Sequence, residues 1–199
     1  MKNKGLIIGA VIVAVVLLCA ASCVGSYNSL VSLREDVDAE WANVESQYQR
    51  RADLVPNLVA TVKGYASHEE SVFTEIAESR AKLGGSYTID SSLTEDEEAF
   101  SSYNASQNAL SANLGRLLAL TEAYPELKAN ENFLDLQSQL EGTENRIATE
   151  RNRYNEKARS YNKKRQSFPT VILANMFGFK EKVYFKAEES AHTVPTVSF

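Results

Sequence analysis

From Leu30 onward, apolar and aromatic side chains return every three or four residues: Leu30, Leu33, Val37, Trp41, Val44, Tyr48, Val55, Leu58, Val62, Tyr65, Val72, Ile76 and Leu83. With Arg51, Glu69 and Ser79 filling the gaps, the spacing is that of a helical seam packed against other helices. A polar stretch, GGSYTIDSS from Gly84 to Ser92, interrupts it, and Thr94 with Glu97 three residues on predicts the capped start of another helix. That helix carries Phe100, Tyr103, Gln107, Leu110, Leu114, Leu117, Thr121 and Tyr124, and Pro125 blocks its continuation. A last long segment, from about Leu127 to Ser167, repeats the pattern with Phe133, Leu136, Leu140, Ile147, Tyr154, Ala158, Tyr161 and Phe168. After Pro169 comes a short apolar piece, TVILANMFGF, and then a tail with Pro195 that reads as extended or disordered.

Each seam is one-sided, so each helix must bury it against a neighbour, and short connections make sequential helices antiparallel. The expected fold is all-α: an N-terminal transmembrane helix followed by a long antiparallel up-and-down bundle, of four helices or of three with the first kinked at Pro56. A turn around Asp53 to Pro56 is favoured, because it gives helices of similar length that cover every stripe. A rod continuing to Leu83 would leave Leu30 to Tyr48 uncovered unless the protein self-assembles. The divisions expected are an anchor at 1–25, the bundle at 26–168, and the apolar segment with its tail at 169–199.

The anchor is a different material from the rest. Leu6 to Val24 is uncharged and almost wholly apolar, about the length that crosses a bilayer as a helix. A transmembrane helix is the leading expectation. A cleavable secretory signal is a rival, and the string AASC resembles a lipoprotein box with Cys23 as the lipidated residue. Both cysteines, Cys19 and Cys23, fall in or beside this run, so no disulfide framework exists in the remainder. Lys2 and Lys4 precede the run and acidic residues follow it, which predicts a single-span membrane protein with its N-terminus in the cytoplasm and its bundle outside.

Composition narrows the chemistry. The net charge of −5 does not suggest a nucleic-acid binder. No phosphate loop, nucleophile elbow, HExxH, CxxC pair or dinucleotide turn occurs, so no catalytic residue, metal ligand or cofactor is expected. His68 has Glu69 and Glu70 adjacent, but its helical neighbours at three and four residues carry no carboxylate, and His192 lies in the tail. Arg51 and Glu69, polar in a core seam, read as paired groups that set register. Tyr-Asn recurs at Tyr27-Asn28, Tyr103-Asn104, Tyr154-Asn155 and Tyr161-Asn162, which reads as interhelix packing, with a binding surface as the alternative.

Local charge adds one candidate surface. Residues 144–186 hold eleven bases against four acids. If the last helix ends near the membrane, Lys163, Lys164 and Arg165, followed by Phe168, Ile172 and Phe177, form a candidate contact with the membrane interface. A solvated basic helix end complementing the helix dipole is the alternative.

YNSLVSLREDVDAEWANVESQYQRRADLVPNLVATVKGYASHE, and later ERNRYNEKARSYNKKRQSFP with FGF beyond it, resemble the LemA family across nearly the whole chain after the apolar run. The resemblance is densest in RADLVPNLVATVKGYASHE, which holds Arg51, Asp53, Pro56, Asn57, Gly64, Tyr65 and His68. It implies a membrane-attached bacterial helical bundle, a structural role for those residues and no enzymatic activity. It also implies association with TPM-domain membrane proteins and, for some relatives, with systems that build intracellular membrane compartments. The function expected is a membrane-tethered scaffold or adaptor contacting lipid and another envelope protein. The alternatives are a ligand-binding or accessory enzyme domain using Arg51, His68 or Glu69, and a self-assembling homo-oligomer at the membrane.

Overall fold

The computed structural model describes residues 2–85 and 91–186, whose regular secondary structure is entirely helical. His192 and Pro195 lie outside the described residues, as does the side chain of Leu6. Helix α1 (Lys2–Lys63) runs unbroken from the apolar N-terminal segment into the bundle. It is followed by α2 (Glu70–Gly85), α3 (Glu97–Leu120), a single turn α4 (Pro125–Lys128), α5 (Glu131–Gln166) and a short α6 (Thr170–Met176).

The expected turn at Asp53 to Pro56 does not form. Pro56 lies inside α1 on an exposed face, between buried Val55 and Leu58, and the chain reverses instead at residues 64–69. Magnitudes explain the outcome. A proline inside a helix costs about 3 kcal/mol, whereas each large apolar side chain kept in the core contributes about 1.5–3 kcal/mol. Val55, Leu58 and Val62 are all buried, so one continuous seam outweighs one proline.

Ser26 to Lys63 of α1 is about 57 Å long, while the 16 residues of α2 return only about 24 Å. The distal half of the bundle is therefore four helices thick. Val55, Leu58 and Val62 of α1 meet Val72 and Ile76 of α2, Leu110 and Leu114 of α3, and Phe133 and Leu140 of α5 in one apolar cluster. Tyr65, expected in the seam, leaves it at the tip and is 41% exposed.

Leu30, Val37, Trp41, Val44 and Tyr48 are nevertheless buried, so the stripe feared uncovered is closed within the chain. The start of α3, the second half of α5, α6 and residues 177–186 close it, with Phe100, Tyr154, Ala174, Phe179 and Phe185 in the same cluster. The tail read as extended or disordered is thus, through Lys186, a packed strap.

Two smaller expectations also fail. Asp96, not Thr94, caps α3, its Oδ1 accepting from the Ala99 amide at 3.0 Å. Thr94 is instead buried, because it lies in a preceding 3-10 turn beneath the strap. Phe168, placed in the α5 seam by spacing, is 81% exposed because α5 has ended at Gln166.

Candidate functional site

The most elaborate arrangement of polar groups lies where the strap meets α5. The chain leaves α6 through Gly178, at φ +71°, a left-handed position that glycine adopts without strain. The Phe179 amide donates to the Ala174 carbonyl at 2.9 Å, closing the helix end as a Schellman turn does.

Beyond it, the Tyr-Asn pairs of α5 read the strap backbone. Asn162 Nδ2 donates to the Lys182 carbonyl (2.7 Å) while its Oδ1 accepts from the Lys182 amide (2.9 Å). Asn155 repeats both bonds with Phe185, each at 2.9 Å. Tyr161 and Tyr154 donate their hydroxyls to the carbonyls of Lys180 and Val183, both at 2.8 Å.

The geometry follows from two rises. Seven residues of helix advance about 10.5 Å, and three residues of extended chain cover about 10 Å. A Tyr-Asn repeat at seven therefore matches every third residue of an extended strap, and the paired amide bond made by Asn162 is made again by Asn155. The reading of these dipeptides as packing was half the picture: Asn104 does bridge helices, accepting from Arg151, but Asn155 and Asn162 bind the chain's own backbone.

Lys182 fixes the strap from its other side. Its fully buried ammonium lies 2.8 Å from Asp38 Oδ1 and 3.1 Å from Glu95 Oε1, and donates to Thr94 Oγ1 at 3.0 Å. Two carboxylates and a hydroxyl satisfy a charge that would otherwise not tolerate burial. Arg151 stacks over the Phe185 ring at 4.4 Å.

Burial raises the phenols of this region above their ordinary value. Tyr161 is pushed up to about 12, and Tyr154, Tyr103 and Tyr48 are raised as well, by loss of hydration around the phenolate in each case.

The residues singled out by resemblance separate. Arg51 is 1% exposed and crosses the bundle: Nη1 pairs with Glu144 Oε1 at 2.9 Å and also donates to Ser111 Oγ, while Nη2 donates to Gln107. Tyr65 accepts at its hydroxyl from Asn130 Nδ2 (3.0 Å) and ties the tip to the α5 cap. Asp53, Pro56, Asn57, Gly64 and His68 are exposed. Arg51 lies about 18 Å along α1 from Lys63, so it shares no site with His68 or Glu69 in the tip turn.

An open groove of about 960 Å³ runs between α1 and the end of α2, lined by small residues such as Ala42, Ala52, Ala77 and Ala81 with Arg80 at its edge. Among the described residues no group of three or more metal-ligating side chains converges.

Lys163 is exposed, Lys164 and Arg165 are half-buried, and Phe168, Ile172 and Phe177 are exposed at the end of the molecule where α1 enters its apolar segment. Residues 7–24 of that segment, Cys19 and Cys23 included, are exposed throughout, and this is the one stretch among the described residues long and apolar enough to cross a membrane.

Sequence reasoning missed Lys182, Asn155 and Asn162 as partners. The available signal was the Tyr-Asn repeat at seven.

Together these features define an all-α bundle protein built on one helix that carries a candidate membrane span. The chain belongs to the LemA family, whose family model matches residues 40–199. It is 30% identical over 182 residues to the magnetosome protein MamQ 2 of Paramagnetospirillum magneticum, covering 84% of this chain and 67% of the relative. A MamQ of Magnetospirillum gryphiswaldense is 29% identical with the same coverage. Protein LemA of Metamycoplasma hominis is 27% identical over 167 residues, 83% of this chain and 71% of that one.

Proposed function

We propose that the protein is a membrane-tethered helical scaffold that holds a rigid bundle above the bilayer and presents its distal α1 face to another envelope protein. The observation carrying this reading is the unbroken α1: the exposed apolar segment and the bundle core share one helix, so the bundle's position follows the span. The bundle is placed outside the cytoplasm by the lysines preceding the span. The distal face is favoured because Asp53, Pro56, Asn57 and His68, within the segment that most resembles the family, are exposed and take no part in the core. No reaction is assigned to any described residue. Kinship with MamQ makes a magnetosome-related partner the first to look for.

Photo-cross-linkers at Asn57 and His68, used in native membranes and followed by affinity purification, are expected to recover one membrane protein. Cross-links to lipid alone, or equal yields from a control position at exposed Glu141 on α5, would remove the adaptor reading.

A further inference from the structure

We propose that the corner where α5 passes into α6 is a second membrane contact, built to take an anionic lipid surface beside the spanning helix. The proposal rests on the reading that residues 7–24 cross the bilayer.

Three observations converge on it. Phe168, Ile172, Met176 and Phe177 are 81%, 58%, 66% and 55% exposed, and outside the apolar segment of α1 few other large apolar side chains are comparably open. Ile172 and Met176 are four apart on α6, so they stand on one helical face, and Phe168 lies exposed in the turn that leads into that helix. Such a patch facing water is disfavoured in a free-standing domain.

Its height is fixed by a contact. The rings of Phe177 and Tyr27 pack edge to face at 5.0 Å. Tyr27 follows Val24 by three residues of unbroken helix, about 4.5 Å. The patch therefore sits level with the end of the span, where the interface must lie, and Tyr27 is the residue type that favours that layer.

The charge is complementary. Lys163 is exposed and Lys164 half-buried, just before Phe168. Arg165 does a different task from the one its neighbours suggest: its Nε donates to the Phe179 carbonyl at 2.8 Å and its Nη1 lies 4.0 Å from Glu181, so it braces the strap. The lipid-facing charge is then Lys163 and Lys164, and basic side chains beside a short apolar helix are the composition of an interfacial anchor. With both contacts made, the bundle is held at two points and cannot swivel about the span.

The test uses the full chain with Cys19→Ser and Cys23→Ser, reconstituted in bilayers containing phosphatidylglycerol. A nitroxide is placed in turn at Ile172→Cys, at Val13→Cys in the span and at Asn57→Cys on the distal face, and its collisions with oxygen and with an aqueous nickel chelate are measured. Ile172 is expected about 5–10 Å inside the headgroup boundary, with Val13 deep and Asn57 aqueous. Lys163→Gln with Lys164→Gln, or pure phosphatidylcholine, is expected to shift the Ile172 label toward the aqueous value. An Ile172 label as open to nickel as Asn57, with Val13 deep, overturns the contact alone. Immersion indifferent to lipid charge overturns the anionic partner, and spin-spin broadening between copies at Ile172 assigns the patch to a second chain instead. An aqueous Val13 overturns the spanning reading and the contact with it.

Discussion

Arg51 illustrates how a single polar residue in an apolar seam is resolved. Its side chain is 2% exposed, while that of its partner Glu144 is 36% exposed. The two ends of this pair therefore differ in what their loss leaves behind. Without Arg51, the Glu144 carboxylate still reaches water. Without Glu144, a guanidinium stays buried against Gln107 and Ser111 with no countercharge. Glu144→Ala is accordingly expected to cost about 3–5 kcal/mol, and Arg51→Met, which refills the space with apolar atoms, distinctly less. Urea unfolding of both variants checks the order; a larger loss for Arg51→Met would show that hydrogen-bond geometry, not charge burial, governs the site. The pairing of Arg51 was legible from its seam position. Its partner was not, because Thr143 and Glu144 both fit the three-or-four spacing between Leu140 and Ile147, and only the packing of α1 against α5 shows that Glu144 is the one that meets Arg51.

At the scale of elements, helices were readable and their ends were not. The seam kept its phase across Pro56, and that evidence outranked the local propensity of proline. The strap was harder to read because its buried positions, Phe179, Lys182 and Phe185, recur every third residue, a period that belongs neither to a half-buried strand nor to an α-helix. Its partner groups were encoded elsewhere, in Tyr154-Asn155 and Tyr161-Asn162. Trp41, the chain's single tryptophan, reports on the joint, since the Phe185 ring stacks on it at 6.2 Å. Phe185→Ala is expected to cost about 3–5 kcal/mol and to shift Trp41 emission to the red. Asn162→Ala should produce the same spectral change without touching the tryptophan, because it strands the buried amide and carbonyl of Lys182, at about 1–3 kcal/mol each. Unchanged emission in both variants would mean that the strap does not seal the proximal core.

For the whole molecule, the buried tyrosines make stability a function of alkaline pH. Tyr161 is held up to about 12 in the folded chain, and Tyr48, Tyr103 and Tyr154 are also raised, with burial the leading cause each time. The ordinary phenol, as in an unfolded chain, titrates near about 10. Below that value both states keep their protons and the contribution is fully present. Above it the unfolded chain loses protons that the folded chain retains, so stability falls as pH rises, by about 1.4 kcal/mol per pH unit for each such proton. For Tyr161 the fall runs from about pH 10 to about 12. Lysines of the ion pairs also lose charge in this range, so the informative quantity is the slope difference between the parent and Tyr161→Phe. The variant starts lower, having lost its bond to the Lys180 carbonyl, but its urea midpoint should fall less steeply above pH 10. Parallel slopes would mean that Tyr161 titrates alike in both states, and the joint between strap and α5 would then be open to water.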